Sequence, residues 1–72
     1  MNDLAQRIHA VVARHSIFAT PILTAQCKHI KKTPDTIERA DVPRLASYIG
    51  KAVALFSNPE TARRVETEIN DL

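Results

Sequence analysis

Between Asp41 and Ser57 the apolar residues recur at spacings of three and four, the period of one side of an α-helix. At about 100° per residue, Val42, Leu45, Ala46, Tyr48, Ile49, Ala52, Val53, Leu55 and Phe56 occupy one continuous half of the circumference. Arg44, Ser47, Gly50, Lys51, Ala54 and Ser57 occupy the other half. A helix facing one core needs a stripe only somewhat wider than about 100°, so this segment is expected to touch more than one neighbour. It reads as the central helix, about 42–57, of a small all-α bundle.

The flanking pattern supplies the rest of that bundle. Asn2 is placed as the cap of a helix from Asp3 to about His15, with Leu4, Ala5, Ile8, Val11 and Val12 as its apolar stripe. Ser16 to Ala19 is the connection, where Ile17 and Phe18 are expected to pin the chain onto the core. Thr20-Pro21 then reads as an N-cap followed by the first helical residue, because proline lacks the amide hydrogen that this position leaves unused. The second helix is expected from Pro21 to about Lys32, with Ile22, Leu23, Cys27 and Ile30 inward and Gln26 among them. Its outer face carries Lys28, Lys31 and Lys32, with His29 at the border.

Thr33-Pro34 repeats the signal and predicts a short helix to Arg39 or Ala40, anchored by Ile37. Asp41 is expected to cap the central helix. Asn58-Pro59 opens the last helix, to about Asn70, with a narrow stripe of Ala62, Val65, Ile69 and Leu72. All four prolines thus fall at expected helix starts. The architecture that follows is one all-α domain over residues 1–72, built of four main helices and one short one. Gly50, the single glycine, lies on the polar arc and suits either open solvent or close approach of another backbone.

A domain of 72 residues sits near the lower size limit for folding alone. Cys27 is the only cysteine, so no internal disulfide can reinforce it. Self-association is the remaining common device, and a homodimer is expected. The hydrophobic share, 44%, suits a packed domain and is too high for intrinsic disorder. No apolar run approaches the roughly 18 residues of a membrane span. The first residues show no signal-peptide pattern, and a cytoplasmic location is expected.

Candidate chemistry is sparse. The carboxylates fall at helix starts or on the outer face of the last helix, no glycine-rich phosphate loop is possible, and no serine has a nucleophile-elbow setting. No enzyme activity and no cofactor are expected. His15 lies about 20° from Leu4 on the first helical stripe. It suits a helix-terminal histidine bonded to a free carbonyl, with a metal or proton-transfer role as the sharper alternative. Cys27 and His29 are splayed about 200° apart on a helix and cannot chelate one metal together.

The segment Cys27-Lys28-His29-Ile30-Lys31-Lys32-Thr33-Pro34-Asp35-Thr36-Ile37-Glu38-Arg39 resembles the helix-turn-helix of lactose-repressor-type regulators. Cys27 matches the small residue of the first helix, Thr33 the turn hydroxyl and Ile37 the buried β-branched residue. Lys31 and Lys32 stand where that family has a glycine and an apolar turn residue. The resemblance implies DNA binding, with residues 34–39 in the major groove and Lys28, Lys31, Lys32, Arg39 and Arg44 near phosphates.

The expectation that best joins these readings is a non-catalytic protein-interaction or regulatory module. Its contacts are expected from Tyr48, Ala52, Leu55, Val65, Ile69 and Leu72, with a second copy or another protein as partner. The DNA-binding regulator is the alternative.

Overall fold

Two asparagines start the first and last helices as the sequence predicts. In the computed structural model, which describes residues 1–72, Asn2 opens α1 (Asp3–Ala13) by accepting the Ala5 N–H at 2.9 Å. Asn58 opens α4 (Pro59–Asn70) by accepting the Thr61 N–H at 2.8 Å. Each satisfies one of the amides that a helix start leaves without a partner. Between them lie α2 (Ala19–His29), a single 3-10 turn (Arg39–Asp41) and α3 (Val42–Phe56). The fold is all-helical, and one core joins the four helices. Ile8, Val11, Val12, Leu23, Cys27, Leu45, Ile49, Val53, Val65 and Ile69 are fully buried in it.

The middle of the chain departs from expectation in three places. Helix α2 begins at Ala19 rather than Pro21, so Thr20 is a first-turn residue and not the cap. Its hydroxyl lies 2.8 Å from His9 Nε2 and ties α2 to α1. The same helix stops at His29, because Lys31 turns left-handed at φ 58°. The Lys32 N–H then reaches back to the Cys27 carbonyl at 2.9 Å, and the Lys31 N–H to that of Lys28 at 3.0 Å. This is the Schellman closure, with lysine in the position that glycine usually fills.

The short helix expected over 34–39 is not formed. Pro34 instead occupies a turn in which the Thr36 N–H donates to the Thr33 carbonyl at 3.0 Å. The Thr36 hydroxyl in turn accepts the Thr33 N–H at 2.9 Å. Asn2 clamps this turn from a distance: its backbone N–H donates to the Pro34 carbonyl at 2.9 Å and its side-chain amide to the Ile37 carbonyl at 3.0 Å. The short helical piece lies later, as the 3-10 turn, where the Asp41 carboxylate accepts the Glu38 N–H at 2.9 Å. Asp41 therefore caps that turn and makes no side-chain cap on α3.

Helix α3 is the centre of the bundle, and its most extensive packing is against α4. Gly50 is buried there. A Cβ on it would lie 2.8 Å from Glu66 Oε2 and 3.6 Å from the Ala62 carbonyl. Open solvent is therefore excluded, but the only atom that would crowd such a Cβ is the end of the Glu66 side chain, and the nearest backbone atom stays at ordinary contact distance.

Candidate protein-interaction surface

Helices α2 and α3 run antiparallel, as two ring pairs at opposite ends show. Phe18 at the start of α2 meets Phe56 at the end of α3, with ring centroids 5.2 Å apart and planes at 36°. His29 at the end of α2 stacks on Tyr48, at 5.2 Å and 12°. The shallow channel between the helices is a groove of about 420 Å³. Phe18, Pro21, Ile22 and Ala25 of the α2 side and Ala52, Leu55 and Phe56 of α3 line it, with Gln26 among them. A smaller hollow of about 200 Å³ lies beyond the Phe18 and Phe56 rings, bordered by His15, Ile17 and Val53.

The rims of this groove and of the adjoining hollow hold the molecule's most exposed large apolar side chains. Ile17 is 91% exposed, Leu55 86%, Phe56 62% and Phe18 45%. Local geometry explains the exposure of Ile17. The Ser16 hydroxyl accepts the Phe18 N–H at 3.1 Å and folds the connection into a tight bend. Ile17 is then at the outside of the bend, so it does not pin the connection to the core as the sequence suggested. At the other end of the channel the character changes. Lys51 Nζ lies 5.6 Å from the centre of the Tyr48 ring, a cation–π contact of about 0.5–1 kcal/mol at an exposed site.

The titratable groups elsewhere serve as struts. His15 Nε2 is 2.7 Å from Glu68 Oε2 and Arg14 donates to Glu68 Oε1 at 3.0 Å, which together fasten the end of α1 to α4. His15 is half-buried, and its partner is this carboxylate rather than a free helix carbonyl. Burial, reinforced by the Asp41 carboxylate, pushes the Cys27 thiol above its ordinary range, which removes it as a nucleophile near neutral pH. No three His, Cys, Asp or Glu side chains are grouped so as to hold a metal ion. What the surface offers chemically is apolar contact at one end and cations at the other.

The sequence-predicted contact residues divide sharply. Leu55 is on the surface, Ala52 lies in the groove, and Tyr48 is half-buried at the cationic end. Val65 and Ile69 are fully buried in the chain's own core, and Leu72 packs against it. The stripe of α4 is thus the inner face of a helix and not a seam for a second chain. Ile17, Phe18 and Phe56 were missed. Two large apolar residues in succession, inside a short connection that continues neither helical stripe, are the signal that could have found the first two.

The basic residues also scatter. Lys28, Lys31 and Arg44 are exposed, Lys32 pairs with Asp41 at 3.5 Å, and the Arg39 guanidinium donates to the Leu72 carbonyl. The turn at Lys31 adopts the glycine-type conformation that the helix-turn-helix resemblance calls for. The recognition helix that should follow it is absent, and Ile37 is followed by the 3-10 turn.

No family model, no curated protein and no solved structure matches the chain. No helix is long and apolar enough to cross a membrane.

Proposed function

We infer that this chain is a small non-catalytic protein-association module whose working surface is the α2–α3 face. One observation carries the reading: Phe18, Leu55 and Phe56 are exposed together around an apolar groove, and Ile17 is exposed at the hollow that adjoins it through the two phenylalanines. At roughly 200 Å² for a large apolar side chain, the four leave on the order of 500 Å² uncovered, the upper range for one patch on a monomer and over half of the ~800 Å² a partner contributes to a standard interface. The remaining ionisable groups support a structural assignment, since His15, Glu68 and Cys27 are all engaged in holding helices together. The single unpaired cysteine fits a reducing, cytoplasmic setting.

Either a second copy or a different protein could cover this face. Amide NMR spectra distinguish association from its absence, recorded over a concentration series and with soluble extract of the source cell. Residues 17, 18, 52, 55 and 56 are expected to shift or broaden in at least one series, while those on the outer face of α4 stay unmoved. Unchanged signals over the α2–α3 face in both series refute the reading.

A further inference from the structure

We propose that the α2–α3 face takes an acidic amphipathic helix of another protein, with its apolar side chains in the groove and its carboxylates against Lys28, Lys51 and Arg44. This rests on the association reading above and adds the chemistry of the partner.

The charge distribution carries it. The chain has eight aspartates and glutamates, yet none lies in α2 or α3. These two helices carry Lys28, Arg44 and Lys51, with His29 beside Tyr48. On the other elements four cations are paired within the chain, Arg7 with Asp3, Arg14 with Glu68, Lys32 with Asp41 and Arg64 with Glu60, while Lys31, Arg39 and Arg63, which make no ion pair, lie outside α2 and α3. Lys28, Arg44 and Lys51 have no carboxylate of this chain in contact. Three unpaired cations border a surface that is otherwise apolar.

Helix spacing places them along the same face as the groove. On α3, Leu55, Lys51, Tyr48 and Arg44 follow one another at intervals of four, three and four residues, a single row. On α2, Pro21, Ala25 and Lys28 form the matching row at intervals of four and three. Because the helices are antiparallel, the Phe18 and Phe56 end is apolar and the His29 and Tyr48 end is cationic. At 1.5 Å per residue the row on α3 extends roughly 17 Å, the length of three helical turns. A helix laid in the groove presents side chains at i, i+3, i+4 and i+7 to the apolar part. Its flanking positions over the cationic part then favour glutamate or aspartate.

The same charges disfavour a second copy. Two copies related by a two-fold axis across this face would set the cationic end of one over either the apolar or the cationic end of the other. Lys51 and Arg44 would lose water and gain no opposite charge, a desolvation cost without return. A flat anionic bilayer would satisfy the cations but would leave the concave apolar groove unfilled.

The test is a selection from a display library of helical peptides, with leucine and phenylalanine fixed at one stripe and glutamate or lysine free at every other position. The target is the intact chain. Selected peptides are expected to be enriched in glutamate over lysine at positions flanking the stripe and to bind about tenfold more weakly to Leu55→Gln, a loss of about 1.4 kcal/mol. The double reversal Arg44→Glu and Lys51→Glu, checked for its helical circular dichroism, is expected to invert the selected charge. Leu55-dependent binding without charge preference overturns this proposal and leaves the association reading standing. So does a light-scattering dimer broken by Leu55→Gln when no peptide is selected. Sedimentation with phosphatidylserine vesicles and no peptide binding overturns both readings. A monomer that selects no peptide, or selects equally with Leu55→Gln, overturns this proposal, and unchanged amide signals over the α2–α3 face in both NMR series then overturn the association reading as well.

Discussion

Leu45 and Leu55 stand ten residues apart on α3, and the structure assigns them opposite consequences. Leu45 is fully buried. Truncating a buried leucine to alanine removes its transfer energy and leaves a cavity, about 2–5 kcal/mol together. Since a domain of this size has a margin of only a few kcal/mol, Leu45→Ala is expected to be largely unfolded at 25 °C. Leu55 is 86% exposed, so about a seventh of its side chain is withdrawn from water. Of the ~1.5–3 kcal/mol for complete burial, that fraction is about 0.2–0.4 kcal/mol. Glutamine is the informative replacement, because its helix propensity is close to that of leucine and it adds no charge to the negative end of the helix. Leu55→Gln is therefore expected to lower the unfolding temperature by no more than about 3 °C, while weakening association about tenfold. Urea titrations followed by circular dichroism at several protein concentrations measure both variants. A loss above about 1 kcal/mol for Leu55→Gln, independent of concentration, would refute the reasoning, because the side chain would then be part of the fold and not of its working surface.

Lys31→Gly is expected to stabilise the protein by up to about 1 kcal/mol, since glycine adopts the left-handed conformation at φ 58° without the steric cost a lysine bears; the urea midpoint decides the sign. Gly50→Ala is expected to range from neutral to about 1 kcal/mol stabilising, as the helix-propensity gain opposes a contact that the flexible end of Glu66 can vacate. A loss of stability would show that the Glu66 carboxylate is held in place. Cys27 is expected to react with iodoacetamide at least about tenfold faster in urea than in the native state. The folded thiol holds its proton to higher pH than the unfolded one, so its contribution is intact below the ordinary thiol pKa of 9.0 and declines as pH rises past it. The stability gap between wild type and Cys27→Ala should therefore narrow between pH 7.5 and 10, and an unchanged gap would contradict the burial.

The sequence disclosed those parts of the fold that local chemistry decides alone. Asn2 and Asn58 cap their helices, and α4 has its expected bounds. Thr20-Pro21 was less decisive for a physical reason: proline is accommodated throughout the first turn, where amides have no intrahelical partner. The start could therefore fall earlier without penalty. Thr33-Pro34 misled more fully. A proline φ suits the second position of a turn as well as the first of a helix, and the choice was made by Asn2, over thirty residues away in sequence. Periodicity likewise finds an apolar face without saying what covers it. Val65 and Ile69 formed a stripe narrow enough for a partner, yet α1 and α3 cover it within the chain.

The exposure of Leu55 and Tyr48 follows from where α4 sits. On α3 the apolar arc is centred between Leu45 and Phe56, whereas the buried arc runs from Ala52 through Ile49 to Gly50. Their centres differ by about 50° at 100° per residue. The helix is rotated toward α4, its main packing partner, which lies against the flank that carries Gly50. Ala54, on the polar arc by sequence, is drawn partly into the core by the same rotation. The opposite edge of the apolar arc, Tyr48 and Leu55, is turned away from the core by an equal angle. A small residue at 50 and a large apolar residue at 55 are thus two sides of one arrangement. A small side chain at 50 leaves room for α4 beside α3, and the displaced edge becomes the surface that a partner can use.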